Sequence, residues 1–347
     1  MLNRFFLCLF VLGILAAMPY DASAKLICHW KFDEDPNTVV VENSVGPENR
    51  GYIEVVPGTS QRSAVFTGPG GGYDGIGGAL NTEVPYNYYG TDYYFGQVRI
   101  IDPNLAALDK QITLTWWQKG SDLLPYINGL QGAESSSTIV GAYANPPVNK
   151  WIIWAQCPST RYSLRQFVWY CGADLTSQLL ETEPNNFSVP GDGQINWYKN
   201  QWIHYACTKN ADTGSMKVFR NGELWYEYGP PDYSFVQPID GSKTTYLSIG
   251  AHPYNQDYYI GLLDDVRIYD TELSPSEIRA LLCTADFAAD LNKDCIVNLN
   301  DYAVLANQWL NSGVDPNEGD LNEDGTVNIQ DLDEFVTEWL FEGFWTP

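Results

Sequence analysis

The last sixty residues carry one acidic pattern twice, in register and thirty positions apart. The first copy reads Asp290-Leu-Asn292-Lys-Asp294-Cys295-Ile296-Val297-Asn298-Leu-Asn-Asp301, and the second Asp320-Leu-Asn322-Glu-Asp324-Gly325-Thr326-Val327-Asn328-Ile-Gln-Asp331. Oxygen-bearing side chains fall at loop positions 1, 3, 5, 9 and 12, the spacing by which a folded-back loop of twelve residues turns its ligands onto one Ca²⁺. Position 7, Ile296 or Thr326, offers a backbone carbonyl. The spacing predicts two calcium ions, one in residues 290–301 and one in residues 320–331.

An apolar helix pattern follows each loop. Tyr302, Val304, Leu305, Trp309 and Leu310 form one stripe, and Leu332, Phe335, Val336, Trp339 and Leu340 the other. Neither helix can bury its stripe alone, so the two halves are expected to pack on each other, with Val297 and Val327 in a short strand where the loops touch. Residues 283–347 hold fourteen acids against Lys293 alone, more than half of the chain's formal charge of −24. Such carboxylates repel unless a cation neutralises them, so calcium is expected to be needed for folding. Nucleic acid is excluded as a partner by the same charge.

The duplicated Asp-x-Asn-x-Asp loop closed by Asp, with a helix after each loop and none in the usual place before it, resembles the type I dockerin family over residues 286–340. The resemblance implies a small all-α calcium-binding module that docks on a cohesin-like scaffold protein. Cellulosomal dockerins present a Ser/Thr pair at loop positions 10 and 11. Here those positions are Leu299-Asn300 and Ile329-Gln330, and the basic residues expected further along each helix are absent. The alternative is a calcium-stapled terminal module without a tight partner.

At the other end, Arg4 precedes an apolar run from Phe5 to Ala17, a polar break from Pro19 to Ser23, and Ala22-Ser-Ala24. This reads as a secretory signal peptide over residues 1–24, cut near Ala24. The run falls short of the ~20 residues that span a bilayer, and no later segment is longer, so no membrane span is expected. The mature chain is placed outside the cytoplasm, secreted or at the cell surface.

Setting aside Cys8 in the leader, Cys28, Cys157, Cys171, Cys207, Cys283 and Cys295 remain, an even count that in an exported protein favours disulfides over metal ligation. Six cysteines allow fifteen pairings. Cys283 with Cys295 comes first, because Cys295 stands where glycine usually permits a sharp turn and a covalent tie can hold that geometry. Cys157 with Cys171 follows by proximity, and Cys28 with Cys207 by elimination.

Residues 25–282 read as a β domain. Aromatic and β-branched runs recur between Gly, Pro, Asn and Asp clusters, at Leu26 to Phe32, Ala64 to Phe66, Ile112 to Trp117, Trp151 to Trp154, Gln166 to Tyr170, Trp202 to Cys207, Lys217 to Phe219, Leu224 to Tyr228, Thr245 to Ile249 and Leu262 to Tyr269. Asn221-Gly222 supplies the positive φ angles of a two-residue hairpin turn. Ser274, Pro275 and Glu277 have the order of a capped helix start, so one short helix closes the domain.

Several phrases stand in the order of the LamG-like jelly roll, the concanavalin-like sandwich of laminin G and pentraxin relatives: Cys28-His29-Trp30-Lys31-Phe32-Asp33-Glu34, Ala64-Val65-Phe66-Thr67-Gly68, Ile112-Thr113-Leu114-Thr115-Trp116-Trp117, Gln201-Trp202-Ile203-His204-Tyr205-Ala206, Asn221-Gly222-Glu223-Leu224 and Leu263-Asp264-Asp265-Val266-Arg267-Ile268-Tyr269. The resemblance implies a mainly β concanavalin-like jelly-roll β-sandwich, with residues 70–108 and 120–200 as insertions. It also implies one more calcium ion at Asp264, with Asp33 or Glu34 near the first strand. Surface charge is the equal alternative.

No catalytic residue is assigned. Hydrolases on this sandwich carry Glu-x-Asp-x-(x)-Glu on one strand, where alternate residues share a face. The nearest approaches, Glu223-x-Trp225-x-Glu227 and Glu181-Thr-Glu183, read as solvated surface. His29, His204 and His252 lack metal-ligand partners at a suitable spacing, and the glycine cluster Gly68 to Gly78 reads as a flexible loop. Tyrosine-rich segments offer flat faces with hydrogen-bonding edges, so Tyr88, Tyr89, Tyr254 and Tyr258 are the candidates for contact with a polysaccharide or glycoprotein. The expected function is a secreted, non-catalytic carbohydrate- or matrix-binding protein with a calcium-dependent docking module. A glycoside hydrolase or other polysaccharide-degradation component on the same fold, and a structural cell-envelope protein, are the alternatives.

Overall fold

The computed structural model describes residues 24–56, 58–88, 91–94, 96–122, 138–144, 150–159, 166–172, 179–181, 199–228, 238–252, 258–283, 287–292, 295–313, 315 and 318–340. From Leu26 to Tyr269 they form two antiparallel eight-stranded sheets around one core. The first runs Glu223–Tyr228, Ser215–Arg220, Trp202–Asn210, Gln111–Gly120, Gly261–Tyr269, Leu80–Asn81 and Val65–Phe66, and Leu26–Trp30 also pairs with Gly261–Tyr269. The second runs Leu179–Glu181, Gln166–Cys171, Lys150–Ser159, Thr138–Ala144, Tyr246–Ile249, Val98–Ile101, Gly51–Ile53 and Val40–Val41. All ten strands expected from composition are present.

The two segments expected as insertions are part of the sandwich. Five of the second sheet's eight strands come from them. Thr138–Ala144 shows why they are hard to read. It is buried at every described position but Tyr143, so no polar and apolar alternation marks it as a strand.

Aromatics fill the space between the sheets. Trp116 stacks on Tyr205 at 5.5 Å and on Phe167 at 6.0 Å between ring centroids, with Trp30 and Trp169 also fully buried. Each such side chain contributes on the order of 2 to 3 kcal/mol through burial. At the hairpin tip, Asn221 and Gly222 take φ of 49° and 78°, as a two-residue turn requires. The closing helix is Pro275–Ala280, and its capping box joins Ser274 to Glu277 in both directions.

Two of the three expected disulfides are absent. Cys28, Cys157, Cys171 and Cys207 are free and buried. Cys171 sits opposite Ile153, which leaves Cys157 four residues further along the neighbouring strand, about 13 Å away at strand rise. Cys28 and Cys207 lie in the same sheet with two strands between them, about 14 Å apart at strand spacing. A disulfide needs Cα atoms within about 7 Å. Burial instead pushes the Cys28 and Cys157 thiols up to about 12 and Cys171 to about 11, so all three stay protonated. Cys283 and Cys295 are joined, with Cα atoms 5.7 Å apart.

Candidate functional site

The two acidic loops fold alike. In the first, the Asn292 N–H donates to Asp301 Oδ1 at 3.0 Å and the Asn298 N–H to Asp301 Oδ2 at 2.8 Å. In the second, Asn322 and Asn328 donate to the two oxygens of Asp331 at 3.2 and 2.7 Å. The position-1 carboxylate takes the position-6 N–H in each, from Cys295 to Asp290 and from Gly325 to Asp320, both at 2.9 Å. Asp301 and Asp331 are fully buried, and Asp290 and Asp320 are each 3 % exposed. Four carboxylates withdrawn from water, each curled inside a turn of amide donors, make an oxygen donor set suited to a hard divalent cation. Asp290, Asn292, Ile296, Asp301, Asp320, Asn322, Asp324, Thr326 and Asp331 fit that role, and Asp294 lies outside the described residues.

Asn298 and Asn328 do something more local. Each caps the helix that follows, Leu299–Asn307 or Ile329–Thr337, by accepting from Asn300 N or Gln330 N at 2.8 Å. Their amides donate to the position-7 carbonyls of Ile296 and Thr326 at 3.1 and 3.0 Å. With Oδ1 engaged by the helix, position 9 suits the water-mediated contact that such loops often make.

The repeats interlock, though not where the pattern suggests. The described bonds of Val297 and Val327 run from each loop to the turn that follows the other repeat's helix rather than from loop to loop. Leu310 N donates to Val327 O at 2.8 Å, and Leu340 N to Val297 O at 2.9 Å. A common core of Ala289, Leu291, Val297, Leu305, Val327 and Phe335 draws on both halves. The stripes are only partly buried. Leu310, Val336 and Leu340 are 72, 58 and 66 % exposed, the two leucines because they lie in the turns beyond the helix ends and Val336 because it stands on the outer face of its helix. Leu299 and Ile329, in the first helical turns, are 69 and 66 % exposed.

A second polar cluster lies on the sandwich. The register between Gly261–Tyr269 and Gln111–Gly120 slips between Asp264 and Arg267, and Asp265 takes φ of 50°. Such a bulge redirects side chains. Asp265 meets His29 Nε2 at 2.6 Å and Arg267 Nη2 at 2.8 Å. Burial raises its carboxyl pKa, but Arg267 and then His29 outweigh it and hold the group below the usual range. Asp264 has no such cation, and burial, reinforced by the charges of Asp265 and Asp33, pushes it up to about 8.

The glycine segment folds over this cluster and is not an open loop. Tyr73 N donates to Asp264 Oδ2 at 3.0 Å, Gly78 N to Asp33 Oδ1 at 2.7 Å, and the Tyr73 ring stacks on Trp117 at 4.3 Å. A Cβ on Gly72 would come within 2.6 Å of the Gly78 carbonyl oxygen and 2.7 Å of Asp264 Oδ2, so glycine is required there. The half-open cleft lined by His29, Asp33, Tyr73, Asp264, Asp265 and Arg267 is about 160 Å³. The segment Leu263 to Arg267 and Asp33 mark this place in the sequence, whereas His29 and Tyr73 carry no local signal for it. Glu34 faces elsewhere, accepting from Glu42 N at 2.7 Å.

Of the tyrosines, Tyr88 ends the strand Pro85–Tyr88, and Tyr89 and Tyr254 lie outside the described residues. Tyr258 is 4 % exposed, buried beside a bridge to Thr138, and offers no open face to a sugar. Glu223 is paired with Arg279 and is 73 % exposed in its side chain, as a solvated surface acid would be. No helix among the described residues is long and apolar enough to cross a membrane.

Two sheets about an aromatic core, followed by paired acidic loops, define a sandwich joined to a calcium-loop module. Residues 159–279 match the concanavalin A-like lectin/glucanases superfamily and residues 288–335 match the dockerin type I domain, so the chain carries a concanavalin A-like domain followed by a type I dockerin domain. No curated protein matches the chain. Among solved structures, domain 4 of a GH43 extracellular arabinanase from Geobacillus stearothermophilus, in complex with arabinotriose, is 18 % identical with a TM-score of 0.44, covering 74 % of this chain and 97 % of that one. The botulinum neurotoxin serotype G binding domain is 12 % identical with a TM-score of 0.47, covering 83 % of this chain and 53 % of that one.

Proposed function

We propose that this is an exported, non-catalytic protein whose sandwich, residues 25–282, holds a polysaccharide or glycoprotein and whose C-terminal module, residues 283–347, docks on a cohesin-like scaffold once two calcium ions have folded it. The observation that carries this reading is the duplicated loop, with buried Asp290, Asp301, Asp320 and Asp331 in matching hydrogen-bond positions. The dockerin match supports the partner class, and the concanavalin-like match supports the glycan class. Because Leu299 and Ile329 are exposed where related modules carry hydroxyl side chains, the partner's face opposite them is apolar. A third ion at Asp264 has weaker support, since Asp265 beside it is committed to Arg267 and His29.

Calcium titration of the full chain by calorimetry, with circular dichroism in chelator and in calcium, tests the reading. Two ions bound with gain of helix are expected. No bound calcium would end it.

A further inference from the structure

The two calcium loops differ at the position that makes the sharp turn. Gly325 occupies it in the second loop with φ of 89°, and Cys295 in the first with φ of 68°. The left-handed region suits glycine and disfavours a residue with a Cβ. Both residues nevertheless make the same contact, an N–H bond of 2.9 Å to the first carboxylate of the loop.

What the first loop has in place of glycine is a covalent tie. Cys295 is fully buried and bonded to Cys283, which follows the closing helix of the sandwich and donates its N–H to Ala280 O at 3.2 Å. The disulfide lies against the ion's first ligand, with one oxygen of Asp290 and both sulfurs within 4.8 Å of one another. Cys283 is only partly buried, so a small reductant can reach the bond. The second loop has no cysteine.

We infer that the Cys283–Cys295 disulfide is a thiol-sensitive control on the first calcium site alone. This rests on the calcium reading above. A dithiol reductant delivers two electrons, the S–S bond breaks, each sulfur takes a proton, and the reductant closes to its own disulfide. Cys295 is then free to leave the left-handed conformation, its N–H withdraws from Asp290, and the first site loses affinity. The loop built on Gly325 is untouched, so the module passes from two bound ions to one.

The other described cysteines are already free, so among the described residues a dithiol has a single bond to act on. The full chain is titrated with calcium by calorimetry, with and without dithiothreitol. The expected result is two ions when oxidised and, after reduction, one site unchanged and one weakened about tenfold, equal to about 1.4 kcal/mol. Equal weakening of both sites, or none, overturns the inference. Absence of calcium binding in either state removes the calcium reading itself, and the inference with it.

Variants assign the site. Asp320→Ala leaves the first loop to bind, and that binding should respond to dithiol. Asp290→Ala leaves the second, which should not. The pair Cys283→Ser with Cys295→Gly should bind two ions tightly whether or not dithiol is present, since glycine restores the turn without the tie. Weak binding at the first loop of that variant overturns the role given to the left-handed turn.

Discussion

Leu340 donates its backbone N–H to the carbonyl of Val297 at 2.9 Å, so the turn that follows the second repeat's helix is fastened to the first repeat's loop. The mirror contact runs from Leu310 to Val327 at 2.8 Å. Both leucines have φ of 64° and are largely exposed, which means that backbone geometry at these positions matters more than the side chain. Leu340→Pro removes the donor and forbids the φ, so it should destabilise the module by about 3 kcal/mol or more. Its signature is distant. Calcium affinity at the first loop should fall although the substitution lies in the second repeat, and a single-loop variant, Asp320→Ala, provides the background in which to measure it.

Asp331 and Asn328 share one capping box, but only Asp331 brings a buried carboxylate to the loop. Asp331→Ala takes away a buried carboxylate that holds two loop amides, so calorimetry should count one ion in place of two. Asn328→Ala loses a helix cap, a cost of about 1 kcal/mol, and at most one contact to the metal, direct or through water. That variant should still bind two ions, somewhat more weakly.

Reading these loops from the chain was possible because their information is local: ligand spacing, cap and turn all lie within twelve residues. The Asp264 cluster is the reverse case. Tyr73 reaches Asp264 across 191 positions, so the glycine run looked flexible until its partner was in place. Two of the three expected cysteine pairs failed for a related reason. Cys157 and Cys171 are near in sequence, but antiparallel register sets Cys171 against Ile153. Strands such as Val40–Val41, two residues long, leave no period to detect. Aromatic strands with a turn between them, as at Asn221-Gly222, were legible at both ends.

The free thiols give a chemical count. Cys28, Cys157, Cys171 and Cys207 are buried and their thiols are raised by that burial, so the folded protein should resist a thiol reagent at pH 8. In denaturant without reductant, four thiols should react per chain in a protein that begins at Lys25. Two or none would restore the additional disulfides.

Asp264 makes the sandwich sensitive to pH in a direction opposite to that of a paired carboxylate. In the folded chain it holds its proton up to about pH 8, whereas an unfolded aspartate releases it near 4. Between those values the folded state binds more protons than the unfolded one, so this group's contribution to stability falls as pH rises. Asp264→Asn removes the effect. The variant should match the native chain near pH 4 and gain on it by at most about 1.4 kcal/mol for each pH unit above that, to an upper bound of about 5 kcal/mol at pH 8, measured by denaturant unfolding followed through tryptophan fluorescence. Calcium provides the decisive comparison. An ion held by Asp264 would favour the ionised carboxylate, so adding calcium at pH 8 would stabilise the native sandwich and not the Asn variant, reversing their order; an unchanged order would show that Asp264 is a buried acid and not a third metal ligand.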